Sequence, residues 1–504
     1  MTATEDKQHH RVNSSLDDLS MLELEFPSFV PGAAQDDQPT ATVTEVDPSE
    51  KPMIPSSTLV ILAETDMIHE EHHDTKGDAD HEAVVSTLSE MEFTGTTIKV
   101  KDWNPESFLG YSDYIKEGCE YLKQDPSKVV MLFESPTSSS TESSFHNNQK
   151  YKFHDWPPPK SMTSKAILGP CKYSMWNGSS LPTYLRGGKP PSGLEAHWQK
   201  VMPTGLKMPH YVDKITTDDV AYAYLPVEQI KNHVNDPDVH YHLAGKDSIV
   251  LMTQKTTKLL PDTRTSRPCV VKTTHSMGSK GIFIIRNDED EREFEQFLEE
   301  SGNPTFVVTD FVDIKRNIAC HFFMHPDGKT VHWFGSNENK RLPDGSFSTD
   351  SYLEMKDQKS MKEMQLPFVE EVVQYCKNLG FWGFCGVDVL FDSQENGFLV
   401  DINPRVTGSC PALMTLQIFN KLHGFECGLF RRGGAINYYK PMKTLFEEVD
   451  EFNDANEGKI RIVIHSAYDA GENCTRMNIG VYGTNMEECK TVLNKFALPN
   501  KKED

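Results

Sequence analysis

Apolar and polar positions along this chain follow two periods, one of strands and one of helices. "STLVILAET" (57–65) is a short continuous apolar run that predicts a buried strand, and "HEAVVSTLSEMEF" (81–93) has the spacing of a helix behind it. "TTIKVKDW" and "KVVMLFES" (128–135) predict further strands around a helical "GYSDYIKEGCEYLKQ". Alternating strands and helices suggest a small α/β layer from about 56 to 150. The Ser-rich "SPTSSSTESSFHNNQ" interrupts it, and the Pro/Gly-rich stretch 156–205 reads as irregular. Order returns near 206. A helix is predicted over 288–302, with an acidic first turn and Gly302 as its stop. "SMKEMQLPFVEEVVQYCKNLG" (360–380) places Leu366, Val369, Val373 and Cys376 on one helical face, with Pro367 in the first turn. Residues 458–497 read strand, loop, strand, helix. There are no internal repeats.

Charge changes the picture at the amino end. Residues 1–55 hold three Lys/Arg against eleven Asp/Glu and few clustered apolars, which predicts a disordered acidic leader. Over the whole chain, 51 Lys plus Arg face 75 Asp plus Glu, a formal charge of −24. That disfavours phosphate-backbone binding, so nucleic acid is not an expected partner. No run of about eighteen apolar residues predicts a membrane span. The beginning of the chain lacks the apolar stretch of a signal peptide. The ten cysteines are scattered without a C-x-x-C pair, which suits reduced thiols and a cytoplasmic location. "HEEHH" (69–73) fits H-E-x-x-H, but it follows a strand and runs into a turn, so it reads as a solvated loop rather than a zinc site.

Two stretches carry chemistry. In "RPCVVKTTHSMGSKGIFII" (267–285) a strand delivers Lys272 to a loop of small residues and a second strand leaves. Gly278 and Gly281 permit close backbone approach to phosphate oxygens, and Ser276 and Ser279 offer hydroxyls. No Walker A pattern occurs. Downstream, "TFVVTDFVDIKRNIAC" has a strand leading into a break at Asp310–Asp313, an apolar slot with exposed backbone groups that suits an adenine. The second stretch is "GVDVLFDSQENGFLVDINPRVTGS" (386–409). Two strands joined at Asn396-Gly397 bring Asp388 opposite Asp401, and Asp401, Asn403 and Arg405 share one face by alternation. Two carboxylates and an amide oxygen at one spot call for a hard cation, and Mg²⁺ (or Mn²⁺) fits. Arg405 then faces a second anion, a carboxylate or a transferring phosphoryl group.

Together these stretches resemble the ATP-grasp superfamily, in its carboxylate–amine ligase branch that includes D-alanine–D-alanine ligases and L-amino acid ligases. The resemblance implies an α/β class, α+β ATP-grasp fold over 206–440, with 56–205 as a pre-ATP-grasp-like α/β domain and its irregular connection. Residues 441–504 then form a strand–helix subdomain, after the leader at 1–55. It implies ATP and Mg²⁺, with Asp388, Asp401 and Asn403 matching the metal ligands and Lys272 the second phosphate-binding lysine. Lys246 is taken as the first such lysine, with Lys255 as the alternative. Thr309, Asp310, Phe311 and Val312 match the adenine hinge, Asn317 stands in place of a ribose-binding acid, and Arg405 matches the arginine that holds the substrate carboxylate and acyl-phosphate.

The implied activity is an ADP-producing ligase that activates a carboxylate as an acyl-phosphate and passes it to an amine. The expected partners are these small molecules, with a homodimer left open. An ATP-grasp enzyme with a thiol, bicarbonate or phosphoryl acceptor remains the alternative, as does a non-catalytic ATP-binding module. A biotin-dependent carboxylase is disfavoured, because the chain reads "NPRVTGS" where that family has N-P-R-x-Q-V-E-H. Candidate groups of the substrate pocket are Arg405, Ser409, Asn337, Lys340 and Arg341, the last three in "GSNENKRLPDG", which reads equally well as a solvated turn.

Overall fold

The computed structural model describes residues 98–497, apart from 137–144, 154–161, 187, 204, 277–280, 303, 342–347, 349, 433–435 and 472. The acidic leader, the strand at 57–65, the helix at 81–93 and the HEEHH motif lie outside the described residues.

In chain order, β1 (Lys99–Asp102), α1 (Tyr111–Tyr121), β2 (Val129–Leu132), α2 (Met162–Ser174), β3 (Pro182–Tyr184), α3 (Leu194–Val201), β4 (His210–Val212) and β5 (Val220–Ala223) come first. Strands β4-β3-β2-β5 form an all-parallel sheet, which draws strands from both sides of residue 206. Strand β1 does not join it. It pairs in parallel with a strand more than 200 residues later, so the strands read as one α/β layer lie in two sheets. The stretch 156–205, read as irregular, contains α2 and α3. Gly169 and Pro170 look like breakers, but α2 runs through both to Ser174. Its Leu168 carbonyl is clamped by Ser466 Oγ at 3.0 Å and Asn478 Nδ2 at 3.2 Å from the large sheet.

Two short helices, α4 (Pro237–Leu243) and α5 (Ile249–Met252), lead to β6 (Cys269–Thr273) and β7 (Ile282–Ile285). Helix α6 (Asp288–Ser301) and β8 (Phe306–Asp310) complete a small antiparallel sheet of order β7-β6-β8. The α6 boundaries follow from local chemistry. The Asn287 side chain accepts from the N–H groups of Glu289 and Asp290 at 2.8 and 3.0 Å, and Gly302 ends the helix at φ +79°. Its Phe294 and Phe297 cover Val271, Ile285 and Val308.

The remainder builds the large sheet: β9 (Ile314–Met324), β10 (Thr330–Glu338), β11 (Ser351–Glu354), α7 (Gln358–Asn378), β12 (Gly383–Asp392), β13 (Gly397–Asn403), α8 (Cys410–His423), β14 (Cys427–Arg431), β15 (Asn437–Tyr438), α9 (Met442–Ala455), β16 (Ile460–Asp469), β17 (Thr475–Gly483) and α10 (Met486–Phe496). Its order is β13-β12-β9-β10-β11-β14-β17-β15, with β1 beside β10 and β16 beside β17. The carboxyl-terminal hairpin therefore continues this sheet through β14. Helix α7 starts earlier than its pattern suggested, so Pro367 sits inside it and not in the first turn. Val369, Val373 and Cys376 are buried as expected, joined by Phe368 and Val372, whereas Leu366 is half-buried. Among the described residues no helix is long and apolar enough to cross a membrane. The ten cysteines are free thiols.

Candidate functional site

The site starts with the β12–β13 hairpin. Its turn is not the Asn-Gly turn that the sequence suggests. The left-handed residue is Glu395 (φ 65°), and Asp392 Oδ1 accepts from the N–H groups of Gln394 and Asn396 at 2.8 and 2.9 Å. Gly397 is needed for packing instead, since a Cβ there would lie 2.5 Å from the Phe368 ring. From the turn the pairing runs Phe391 with Gly397 and Val389 with Leu399, and then slips by one residue. This bulge puts Asp401 opposite Asp388 and Asn403 opposite Gly386. The Asn403 amide donates to Asp388 Oδ2 at 3.4 Å, which leaves its own oxygen as an acceptor.

The two lysines converge here from different elements. Lys246 lies in a single 3₁₀ turn and is buried, and its backbone N–H bonds the carbonyl of Thr274 in the strand-end loop at 3.0 Å. Its Nζ reaches Asp401 Oδ1 at 3.1 Å. Lys272, on β6, is buried, and its ammonium is held down to about 8, first by burial and then by Lys246; Asp401 and Asp310 act upward. Lys255 is elsewhere: half-exposed and paired with Glu371 against α7. In the loop after β6, Ser276 is buried, and Gly281 adopts φ +69° where a Cβ would collide with Thr273 Oγ1. Gly278 and Ser279 lie outside the described residues.

Thr309 and Asp310 end β8, and Phe311 and Val312 follow it. Thr309 is buried, Phe311 is 37% exposed and Val312 is half-buried. Asp310 Oδ1 accepts the Lys258 N–H at 2.6 Å, so this carboxylate fastens the preceding loop. Asn317 sits on β9 beside Leu390, on the same face as Ala319, which neighbours Asp388.

Arg405 leaves β13 toward the parallel sheet. Its Nη1 donates to Tyr224 Oη at 2.7 Å, and its guanidinium lies 4.7 Å from the centre of that ring. Tyr173 donates to the same hydroxyl at 3.2 Å. Two further cations were missed in the sequence. Lys172 lies 4.8 Å over the Tyr173 ring, and the Arg432 guanidinium occupies the space that a Cβ at Gly408 would fill. Lys172 is held down to about 7 by burial, then by Arg432 and Arg405. The other proposed pocket groups are committed elsewhere. Asn337 and Ser409 are buried and bond each other at 2.6 Å, and His321 joins both. Burial pushes His321 down to about 4, so a neutral ring receives Thr407 at Nδ1 and donates to Asn337 at 2.8 Å from Nε2. Lys340 pairs with Glu354 at 2.6 Å and Arg341 with Asp313 at 3.6 Å.

The residues present fit a divalent cation. The Asp388 carboxyl is pushed up to about 7, first by burial and then by Asp401; Arg432, Lys246 and Arg405 act the other way. A proton, or a cation, relieves such a pair. Among the described residues no three His, Cys, Asp or Glu cluster; beside the two carboxylates stands the Asn403 amide, whose nitrogen faces Asp388. A separate cavity lined by Arg264, Arg267, Asp288, Glu291, Arg292 and Glu295 is neutralised internally, with Arg267 paired to Asp288 and Glu291.

Residues 223–403 match the family described as "L-aspartate--L-methionine ligase, ATP grasp". Over this segment, which is less than half of the chain, the protein is similar to that ATP-grasp ligase family. The segment holds Lys246, Lys272, Thr309 to Val312, Asp388, Asp401 and Asn403, while Arg405, Lys172 and Arg432 lie outside it. Among curated proteins, a pyruvate carboxylase of Aspergillus terreus is 22% identical over 149 residues, 28% of this chain; the match spans only 12% of that protein's length. Among solved structures, N5-carboxyaminoimidazole synthetase from Staphylococcus aureus, complexed with ADP, has a TM-score of 0.41 and 14% identity, covering 64% of this chain and 92% of that one. The L-amino acid ligase of Bacillus licheniformis has a TM-score of 0.35 and 16% identity, covering 53% and 75%.

Proposed function

We propose that the protein is an ATP-dependent carboxylate–amine ligase that joins two amino acids through an acyl-phosphate. The observation that carries the reading is the Asp388–Asp401–Asn403 oxygen set with Lys246 bonded to Asp401 and Lys272 beside it. A module that only binds nucleotide has no use for that oxygen set next to three further cations. The family description pairs aspartate with methionine, and we take two α-amino acids as the substrate class here.

Bound Mg²⁺ or Mn²⁺, held by Asp388, Asp401 and Asn403, would neutralise and orient the triphosphate oxygens. Lys246 and Lys272 neutralise the same phosphates as fixed cations, and the turn at Gly281 lets backbone approach them. Thr309 to Val312 receive the adenine, and Asn317 serves the ribose. Arg405, fixed by Tyr224, orients the donor carboxylate. A carboxylate oxygen attacks the γ-phosphorus, the bond to the bridging oxygen breaks, and ADP leaves. The amine nitrogen then attacks the acyl carbon, phosphate departs, and the nitrogen loses a proton to give the amide.

The test is nucleotide turnover by the full chain with Mg²⁺-ATP and pooled amino acids, L-aspartate and L-methionine first, beside Asp401→Ala. ADP and phosphate release that needs both substrates and is lost in Asp401→Ala is the expected result. ATP binding without turnover in any pool would replace this reading with the binding module.

A further inference from the structure

Five side-chain cations surround this site, and the proposed reaction employs only three. Lys246 and Lys272 serve the phosphates and Arg405 the reacting carboxylate. Lys172 and Arg432 remain, and neither has an acidic partner among the described residues; nor has Arg405. They are not scattered surface charges. Lys172 lies in the last turn of α2 and over Tyr173, whose hydroxyl bonds that of Tyr224, which in turn receives Arg405. Arg432 approaches from the end of β14 across Gly408, in the loop that carries Arg405, and only a glycine there leaves it room. Arg432 and Arg405 act electrostatically on the same groups: both press down on Lys172, and both act on Tyr173 and on Asp388.

The Tyr224 hydroxyl makes the sign of the missing ligand explicit. It accepts from Arg405 at 2.7 Å and shares one hydrogen bond with the Tyr173 hydroxyl at 3.2 Å. Of the two O–H protons in this pair, one has no acceptor among the described residues. Two basic side chains without an acidic partner and a hydroxyl pair with a proton to give suit an acceptor that carries negative charge. The charge balance agrees. A donor with one carboxylate is matched by Arg405 and leaves Lys172 and Arg432 with nothing to hold.

We propose that Lys172 and Arg432, with the Tyr224 hydroxyl, are the specificity-determining residues of the acyl donor, holding a second carboxylate that does not react. The proposal rests on the ligase reading for the identity of the pocket, but it can be tested without turnover. Its two basic residues, Lys172 on α2 and Arg432 after β14, lie outside the matched segment 223–403, while Tyr224 lies within it.

The experiment titrates L-aspartate and its amide L-asparagine into the full chain with Mg²⁺ and a non-hydrolysable ATP analogue, by calorimetry. The same titrations are made with Lys172→Gln, Arg432→Gln and Arg432→Lys. The wild type should prefer aspartate by about tenfold or more, the worth of one charge-assisted hydrogen bond. Each glutamine variant should lose that preference, weakening aspartate about tenfold while asparagine and the nucleotide stay within about twofold; Arg432→Lys should restore part of it. Thermal melts separate folding defects from binding defects, and Arg432→Lys answers the question if Arg432→Gln is unfolded. A wild type indifferent to the second carboxylate, or glutamine variants that keep the preference, would overturn the assignment. The two readings fail separately. Amide formation by a wild type that ignores the second carboxylate sinks this proposal alone. Discriminating aspartate binding without ADP formation with any amine sinks the ligase alone.

Discussion

Asp388→Asn probes the paired carboxylates without enlarging or shrinking the site. The Asp388 carboxyl is raised from 3.8 to about 7 in the folded protein, first by burial and then by Asp401. That is roughly three units, or about 4 kcal/mol at 1.36 kcal/mol per unit. Because the folded value lies above the unfolded one, the folded chain binds this proton more tightly. Its stability contribution is complete below about pH 4, declines as pH rises, and is gone above about pH 7. Between pH 5 and pH 8 the metal-free wild type should therefore lose about 3 kcal/mol through this one group. An amide cannot ionise, so Asp388→Asn should flatten that part of the profile and be more stable than wild type at pH 8. Equilibrium urea unfolding in EDTA across pH 5 to 8 measures both slopes. Added Mg²⁺ or Mn²⁺ should stabilise the wild type at pH 8 and leave Asp388→Asn nearly unmoved. The reasoning is refuted if the two proteins share one pH profile, or if the variant is the weaker at pH 8.

Other substitutions separate site from scaffold. Lys246→Met should lower kcat/KM for ATP by about a hundredfold or more, whereas Lys255→Met, which breaks only surface contacts with Glu371, Pro367 and Phe368 of α7, should stay within about threefold in the same ADP-release assay. Gly281→Ala forces a side chain to φ +69° and against Thr273 Oγ1. It should cost about 1–2 kcal/mol in unfolding and raise KM for ATP about tenfold. Gly118→Ala drives a Cβ into the Trp382 indole between α1 and the start of β12. It should destabilise by about 1–3 kcal/mol, read as a lower urea midpoint, with kcat/KM unchanged.

What the sequence disclosed was local or carried by a short spacing. Helix α6 was legible because cap, acidic turn, apolar face and stop glycine all lie within sixteen consecutive residues. The Asp388–Asp401 pairing was legible as a hairpin, but the bulge that delivers it, and the glycine at 397 that serves Phe368 and not the turn, depend on packing. The parallel pairing of β1 with β10 carries no local signal, since its partner is more than 200 residues away. Helix α2 was hidden by Gly169-Pro170, because propensity penalises both while packing on β16 and β17 overrides it. That error also hid Lys172. Arg432 stood beside Arg431 in a simple RR pair. Strand alternation could have separated them, since Arg431 pairs with Asp350 at 2.7 Å while Arg432 faces the site.

The most direct test of the central claim follows the oxygen atom. The donor amino acid is labelled with ¹⁸O in its carboxylates and incubated with Mg²⁺-ATP, the amine and the full chain, and the nucleotide and phosphate products are analysed by mass. Acyl-phosphate activation predicts ADP together with one ¹⁸O in the phosphate for each amide bond formed. Label found in AMP, or phosphate that carries none while amide accumulates, would contradict it.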